Sequence, residues 1–207
     1  QDHKELFLFI ILAVIFLFFI LKLYDKNDSQ PFLNLALTIL GIMYVAIPFC
    51  LLLEASYLNS IVERDKGGLI FGLVYNYQIP LGILFCLWAS DSGAYFVGRK
   101  LGKTKLFERI SPKKSWEGLA GGMFFSQMVA WGLSVYFTSI EGWKWFVISA
   151  IIVVVGTYGD LVESMFKRSL NIKDSGSVIP GHGGFLDRFD GLLVAMPFVA
   201  LFLKLFA

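Results

Sequence analysis

The sequence predicts an all-α protein, a polytopic bundle of about six to seven membrane-spanning helices. Three observations lead there. Of the 207 residues, 57% are hydrophobic and only 16% charged, against roughly 45–50% and about 25% in an ordinary soluble domain. Apolar runs of about 20 residues, the length a helix needs to cross the hydrocarbon core, recur from one end to the other. The charges gather in the connections between those runs. The net charge of +2 says little by itself; the 16% aromatic content reads as membrane packing rather than base stacking, and no nucleic-acid partner is expected. Cys50 and Cys86 both lie inside apolar runs and read as small buried hydrophobes, not as a disulfide or metal framework.

The elements follow in order. Residues 6–24 form the first span, uncharged until Lys22, and a polar turn at 24–31 carries Asp25, Lys26, Asn27 and Asp28. Residues 32–53 form the second span, with Pro48 as a candidate kink. Residues 54–68 are a mixed-charge connector, either an interfacial helix or a loop. Residues 69–75 enter the membrane briefly before Asn76, Gln78 and Pro80 interrupt them, and 79–98 form a true span with Asp91 and Ser92 deep inside. A basic loop occupies 99–117. Residues 119–138 span again, and Gly121 and Gly122 permit close helix packing. A turn at 141–144 places Trp143 and Trp145 at the membrane interface. A long helix covers 146–170, a Gly-rich loop 171–184, and the last helix 185–206. The whole chain is thus one integral membrane domain, with N-terminal spans in 1–78 and a catalytic half in 79–207. The first residue is Gln1 and no signal-peptide pattern opens the chain, so a preceding N-terminal segment is expected.

Lys and Arg accumulate in two connections. Arg99, Lys100, Lys103, Lys105, Arg109, Lys113 and Lys114 occupy one, and Lys167, Arg168, Lys173 and Arg188 the other. Two spans separate these stretches, so both lie on one side, and the excess of cations makes that side cytoplasmic.

The second connection, over 167–190, is where chemistry is expected. Asp160, Glu163, Ser164 and Lys167 fall at i, i+3, i+4 and i+7 and share one helix face. Asp187 and Asp190 are i, i+3 at the start of the last helix, where the helix dipole favours carboxylates. Two helices can therefore bring Asp160 and Asp187 together across a turn. Carboxylates are hard oxygen ligands suited to Mg²⁺. Lys167, Arg168, Lys173 and Arg188 suit phosphate, and the Gly-rich turn at 180–184 can offer backbone N–H groups to an anion. Acids for a metal and bases for phosphate suggest phosphoryl or nucleotidyl transfer. Charge alone leaves two other readings open. One is a mutually salt-bridged helix end, and the other is a cation-coupled transporter using Asp91 and Asp160. His182 is a loop hydrogen-bonder or a metal or proton-transfer group.

A resemblance to a known family separates these readings. The segments SMFKR (164–168), KDSG (173–176) and IPGHGGFLDRFD (179–190) resemble the signature of the phosphatidate cytidylyltransferases (CDP-diacylglycerol synthases). WASDSGAYFVGR (88–99) and SPKKSWEG (111–118) are also similar to that family. The resemblance runs from about residue 84 to the end, while 6–53 match only as generic spans. It implies transfer of the cytidylyl group of CTP to phosphatidic acid, giving CDP-diacylglycerol and pyrophosphate. It implies Mg²⁺, with Mn²⁺ as an alternative and a second cation in addition. It also implies a homodimer in a bacterial-type inner membrane, with the site facing the cytoplasm and the lipid entering sideways from the bilayer.

By resemblance, Asp160 and Asp187 are metal ligands, and Glu163 and Asp190 complete or orient that shell. Lys167, Arg168, Lys173 and Arg188 neutralise the triphosphate and the departing pyrophosphate. Ser111, Lys113, Lys114 and Ser115 form a second phosphate-binding segment. Asp91 and Ser92 line the cavity. Asp174, His182, Gly183 and Gly184, inside the signature, belong with the substrate. Alternatives within the class are a CDP-archaeol synthase and a CTP-dependent polyprenol kinase.

Overall fold

The computed structural model describes residues 2–24, 29–57, 64–65, 68–69, 75–169, 172, 184 and 186–206. Among them are six α-helices: α1 (Asp2–Leu23), α2 (Pro31–Ala55), α3 (Gln78–Leu101), α4 (Trp116–Tyr136), α5 (Gly142–Ser169) and α6 (Asp190–Phe206). Four short strands accompany them: β1 (Arg64–Asp65), β2 (Gly68–Leu69), β3 (Lys105–Phe107) and β4 (Ser111–Ser115). The all-α bundle expected from composition is therefore present. By length and composition, α2, α3 and α5 are each able to cross a membrane. The chain forms two compact units, residues 1–47 and 48–207.

In the first unit, α1 and the first part of α2 are apolar nearly all round. Phe9, Phe16, Leu17, Phe32, Leu37 and Leu40 are all exposed, as expected of helices that face lipid. The α2 helix continues through Pro48. Cys50, near its end, is exposed, so only Cys86 behaves as a buried hydrophobe.

The second unit holds the core. Ile79, Ile83 and Cys86 of α3, Ile148 and Ile152 of α5, and Met196 and Val199 of α6 are almost fully buried. Trp145 joins them at 0% exposure, seated over Gly82 and edge-on to Phe137. The interfacial position expected for Trp145 is therefore wrong. The helix begins at Gly142, four residues earlier than the hydropathy pattern indicates, and the extra turn rotates this indole inward while Trp143 stays exposed. A buried hydroxyl chain ties three helices together. Ser149 Oγ donates to Ser126 Oγ at 2.9 Å, and Ser126 Oγ to the Cys86 carbonyl at 3.0 Å. Such bonds between apolar helices are worth about 0.6 kcal/mol each on average.

Glycines set how closely the helices approach. A Cβ on Gly121 of α4 would lie 2.4 Å from Val97 Cβ of α3, so the packing expected of Gly121 and Gly122 is realised along this seam. A second seam joins α5 to α6. A Cβ on Gly159 would lie 2.9 Å from the Asp190 carbonyl oxygen, and one on Gly156 would lie 3.4 Å from that of Gly191. This seam brings the segment bearing Asp160 against the segment bearing Asp190.

The stretch read as a basic loop over 99–117 is more ordered than expected. The α3 helix runs on to Leu101, and β3 pairs antiparallel with β4, with Lys105 opposite Ser115 and Phe107 opposite Ser111. Pro112 and two adjacent lysines suppressed the strand signal in the sequence; an edge of a two-stranded ribbon tolerates both. The last helix is also divided. Leu186–Arg188 make a 3₁₀ turn and α6 starts at Asp190, so Asp187 and Asp190 are not on one continuous α-helix.

Candidate functional site

The candidate site lies in the second unit, where α5, β4, the 3₁₀ turn and the first turn of α6 converge. The α5 helix turns a polar face inward there. Glu163 is 3% exposed, while Met165 and Phe166 are exposed, as suits a helix with lipid outside and charge inside. Ser164 Oγ donates to Asp160 Oδ1 at 3.3 Å, and Lys167 Nζ lies 3.6 Å from Glu163 Oε1. The shared face expected from the i, i+3, i+4, i+7 spacing is thus present.

Two lysines hold the acids together. Lys167 Nζ donates to Asp187 Oδ1 at 2.7 Å, linking α5 to the 3₁₀ turn. The other oxygen of Asp187 accepts from the Gly184 N–H at 2.7 Å, so the last glycine of the signature is a backbone donor to a carboxylate. Lys114, half-buried on β4, reaches Asp160 Oδ2 at 2.5 Å and donates to the Thr157 carbonyl at 3.2 Å. Asp190 accepts from the Gly191 N–H at 2.6 Å and stands beside Glu163. Asp91 of α3 lies within electrostatic reach of Asp160, Lys114 and Arg188. Residues far apart in sequence thus meet in one constellation of alternating sign.

The other expected residues divide. Ser92, Lys113, Arg168 and Arg188 are exposed, and Ser111 is half-buried. Ser115 is buried and caps α4, its Oγ accepting from the Gly118 N–H at 3.1 Å, so its hydroxyl is committed to the helix. Lys173, Asp174, His182 and Gly183 lie outside the described residues. One polar contact had no clear sequence signal. Glu117, on the first turn of α4, accepts from the Lys103 N–H at 3.1 Å and the Thr104 N–H at 3.0 Å, and so fastens the root of the hairpin. Followed directly by Gly118, Leu119 and Ala120, it looked like an ordinary helix-start acid.

A divalent cation can be tested against these residues. Among the described residues, no three acid, thiol or imidazole groups converge tightly enough to enclose an ion by themselves. Mg²⁺ does not require that, since one or two carboxylates and substrate phosphates usually hold it. Both oxygens of Glu163 are buried, with Lys167 Nζ 3.6 Å from Oε1 and Asp190 beside them, so they are only partly satisfied. Asp160, Asp187 and Asp190 all lie within its electrostatic reach or beside it. A buried carboxylate lacking a full set of donors, among other hard oxygen donors, fits such an ion.

Long apolar helices with acids and lysines interleaved at one junction define a class of helical protein whose fixed charges suit a polyanion. The chain belongs to the cytidylyltransferase family, whose model matches residues 2–206. It is 37% identical to a phosphatidate cytidylyltransferase of Bacillus subtilis over 207 residues, which is all of this chain and 70% of that protein. It is 44% identical to the Haemophilus influenzae enzyme of the same name over 130 residues, 59% of this chain and 44% of that one. With the Staphylococcus saprophyticus enzyme of that name it shares 34% identity over 194 residues, 93% of this chain and 68% of that protein.

Proposed function

We propose that this protein transfers the cytidylyl group of CTP to phosphatidic acid, releasing pyrophosphate and leaving CDP-diacylglycerol in the membrane. The observation that carries this reading is the joining of Lys114 to Asp160 and of Lys167 to Asp187 at one junction. A phosphate oxygen of phosphatidic acid attacks the α-phosphorus of CTP, and the bond from that phosphorus to the β-phosphate oxygen breaks. A phosphate monoester has a second pKa of about 6 and is largely dianionic at neutral pH, so the nucleophile needs no strong general base. The obstacle is repulsion between two anions, which fixed cations relieve when they are aimed at the developing charge.

Lys114 and Lys167 are the cations placed for that work, with Arg168, Lys173 and Arg188 in support and Lys113 beside them. Asp160, Asp187 and Glu163 would hold Mg²⁺ (or Mn²⁺), and Asp190 would orient that shell. When bound, the ion supplies charge neutralisation at the phosphate oxygens. The lysines would then exchange carboxylate partners for phosphate ones. Asp91 and Ser92 face the nucleotide, and Asp174, His182, Gly183 and Gly184 border it. The working unit is a homodimer in a bacterial-type inner membrane. The cations of 99–114 and 167–188 support a cytoplasmic site, where CTP is available.

The test is pyrophosphate release by purified protein in detergent. Release should require phosphatidic acid, CTP and Mg²⁺ together, and Asp187→Asn should abolish it. An Asp187→Asn protein with full activity and unchanged Mg²⁺ dependence would overturn the metal assignment. Release with an isoprenoid lipid but not with phosphatidic acid would overturn the lipid assignment.

A further inference from the structure

We propose that the β3–β4 hairpin is an anionic-lipid-binding surface, gripping the headgroups of the bilayer around the site. The inference rests on the reading that α3 and α5 span a bilayer, and not on the reaction. The hairpin directly follows α3, and the end of that helix carries a depth marker. Arg99 Nη1 donates to Tyr95 Oη at 2.9 Å with its guanidinium 6.0 Å from the ring centre, and both side chains are exposed. An aromatic ring with a snorkelling arginine over it belongs at the level of the lipid headgroups. Trp116, at the start of α4, is also half exposed. The hairpin lies between these markers in the chain.

Its surface suits that depth. Lys100, Lys103, Lys105, Arg109 and Lys113 are all exposed. Of the acids between Arg99 and Glu117, Glu108 is exposed and Glu117 is committed to backbone N–H groups, so the cations prevail. Strand alternation turns Leu106 inward and sets Lys105 and Phe107 outward together. Phe107 is 43% exposed and leans edge-on against exposed Tyr158. The topology rule accounts for a surplus of cations on one side of a membrane. It does not call for a two-stranded ribbon with a phenyl ring among them. Cations around an outward aromatic are the pattern of a surface that lies on anionic headgroups. Charge complementarity therefore selects acidic phospholipid over a neutral one.

The full chain is reconstituted without nucleotide in phosphatidylcholine vesicles that carry spin-labelled phosphatidylglycerol or, separately, spin-labelled phosphatidylcholine. The motionally restricted lipid signal is compared between the two labels. The wild type should prefer phosphatidylglycerol. Lys105→Gln with Arg109→Gln should reduce that preference at least about threefold, while five other cations keep the segment on its side of the membrane. Raising salt on the wild type should weaken the preference in the same direction. Equal association of the two labels with the wild type would overturn the proposal, and so would a preference that the double variant leaves unchanged. If that double variant fails to reconstitute, Lys103→Gln with Arg109→Gln takes its place under the same criterion. Because no CTP is present, failure here leaves the cytidylyl-transfer reading untouched, and failure of that reading leaves this one standing.

Discussion

Replacing Lys167 with methionine should destabilise the protein more than any other single change of charge in the site. The amine sits 2.7 Å from Asp187 Oδ1 and 3.6 Å from Glu163 Oε1. All three side chains are largely withdrawn from water, at 16% exposure for Lys167, 14% for Asp187 and 4% for Glu163. Methionine keeps the length of the stem and removes the charge, so two carboxylates remain close together without the cation between them. Removing one partner of a buried ion pair costs about 3–5 kcal/mol. Residual exposure places this site at the lower end, about 3 kcal/mol. For a chain of this length that corresponds to a fall in Tm of about 6–12 °C. The assay is thermal unfolding of purified protein in detergent, followed by tryptophan fluorescence. Lys167→Arg should keep most of the stability. The double variant Lys167→Met with Glu163→Gln should recover part of the loss, because the more deeply buried of the two negative charges is then gone. A Lys167→Met protein within about 1 kcal/mol of wild type would refute the reasoning. So would a double variant no more stable than the single one.

Lys114→Gln should behave in the opposite way. Its pair with Asp160 is partly open to solvent, at 23% and 36% exposure, so the loss of stability should stay under about 1 kcal/mol. Pyrophosphate release should nonetheless fall by about 10²–10³ if the amine neutralises developing charge. Gly159→Ala forces a Cβ to 2.9 Å from the Asp190 carbonyl oxygen and 3.0 Å from Val194 Cβ. It should cost about 1–3 kcal/mol and lower turnover by parting α5 from α6, whereas Gly132→Ala, inside α4 with open space around it, should leave turnover unchanged and stability equal or up to about 1 kcal/mol higher; unfolding and pyrophosphate assays on the pair check this.

Much of this molecule was legible in one dimension. Composition and run length determine a helical membrane protein, because lipid offers no partner for an exposed backbone amide and each span must be long and apolar. The α5 site face was also legible, since a helix converts spacings of three and four into neighbours. The signature in 164–190 pointed to the family without any coordinates. What stayed hidden depended on contacts between distant segments. Trp145 reads as an interfacial aromatic until the start of α5 is placed, and then its ring fills the notch at Gly82. The hairpin at 105–115 was masked by its own lysines and proline, because pairing across strands leaves little local trace.

The site shows the same division. The sequence by itself determined which residue types were present for phosphate and metal chemistry, and which of them share a helix face. Only the tertiary structure decided that Lys114 answers Asp160, that Lys167 answers Asp187, and that Glu163 is buried among the acids within reach of Lys167. The physical reason is that charge pairing is short-ranged and non-local. It depends on the close approach that Gly156, Gly159 and Gly191 allow between α5 and α6, and no periodicity along one chain encodes the distance between two helices.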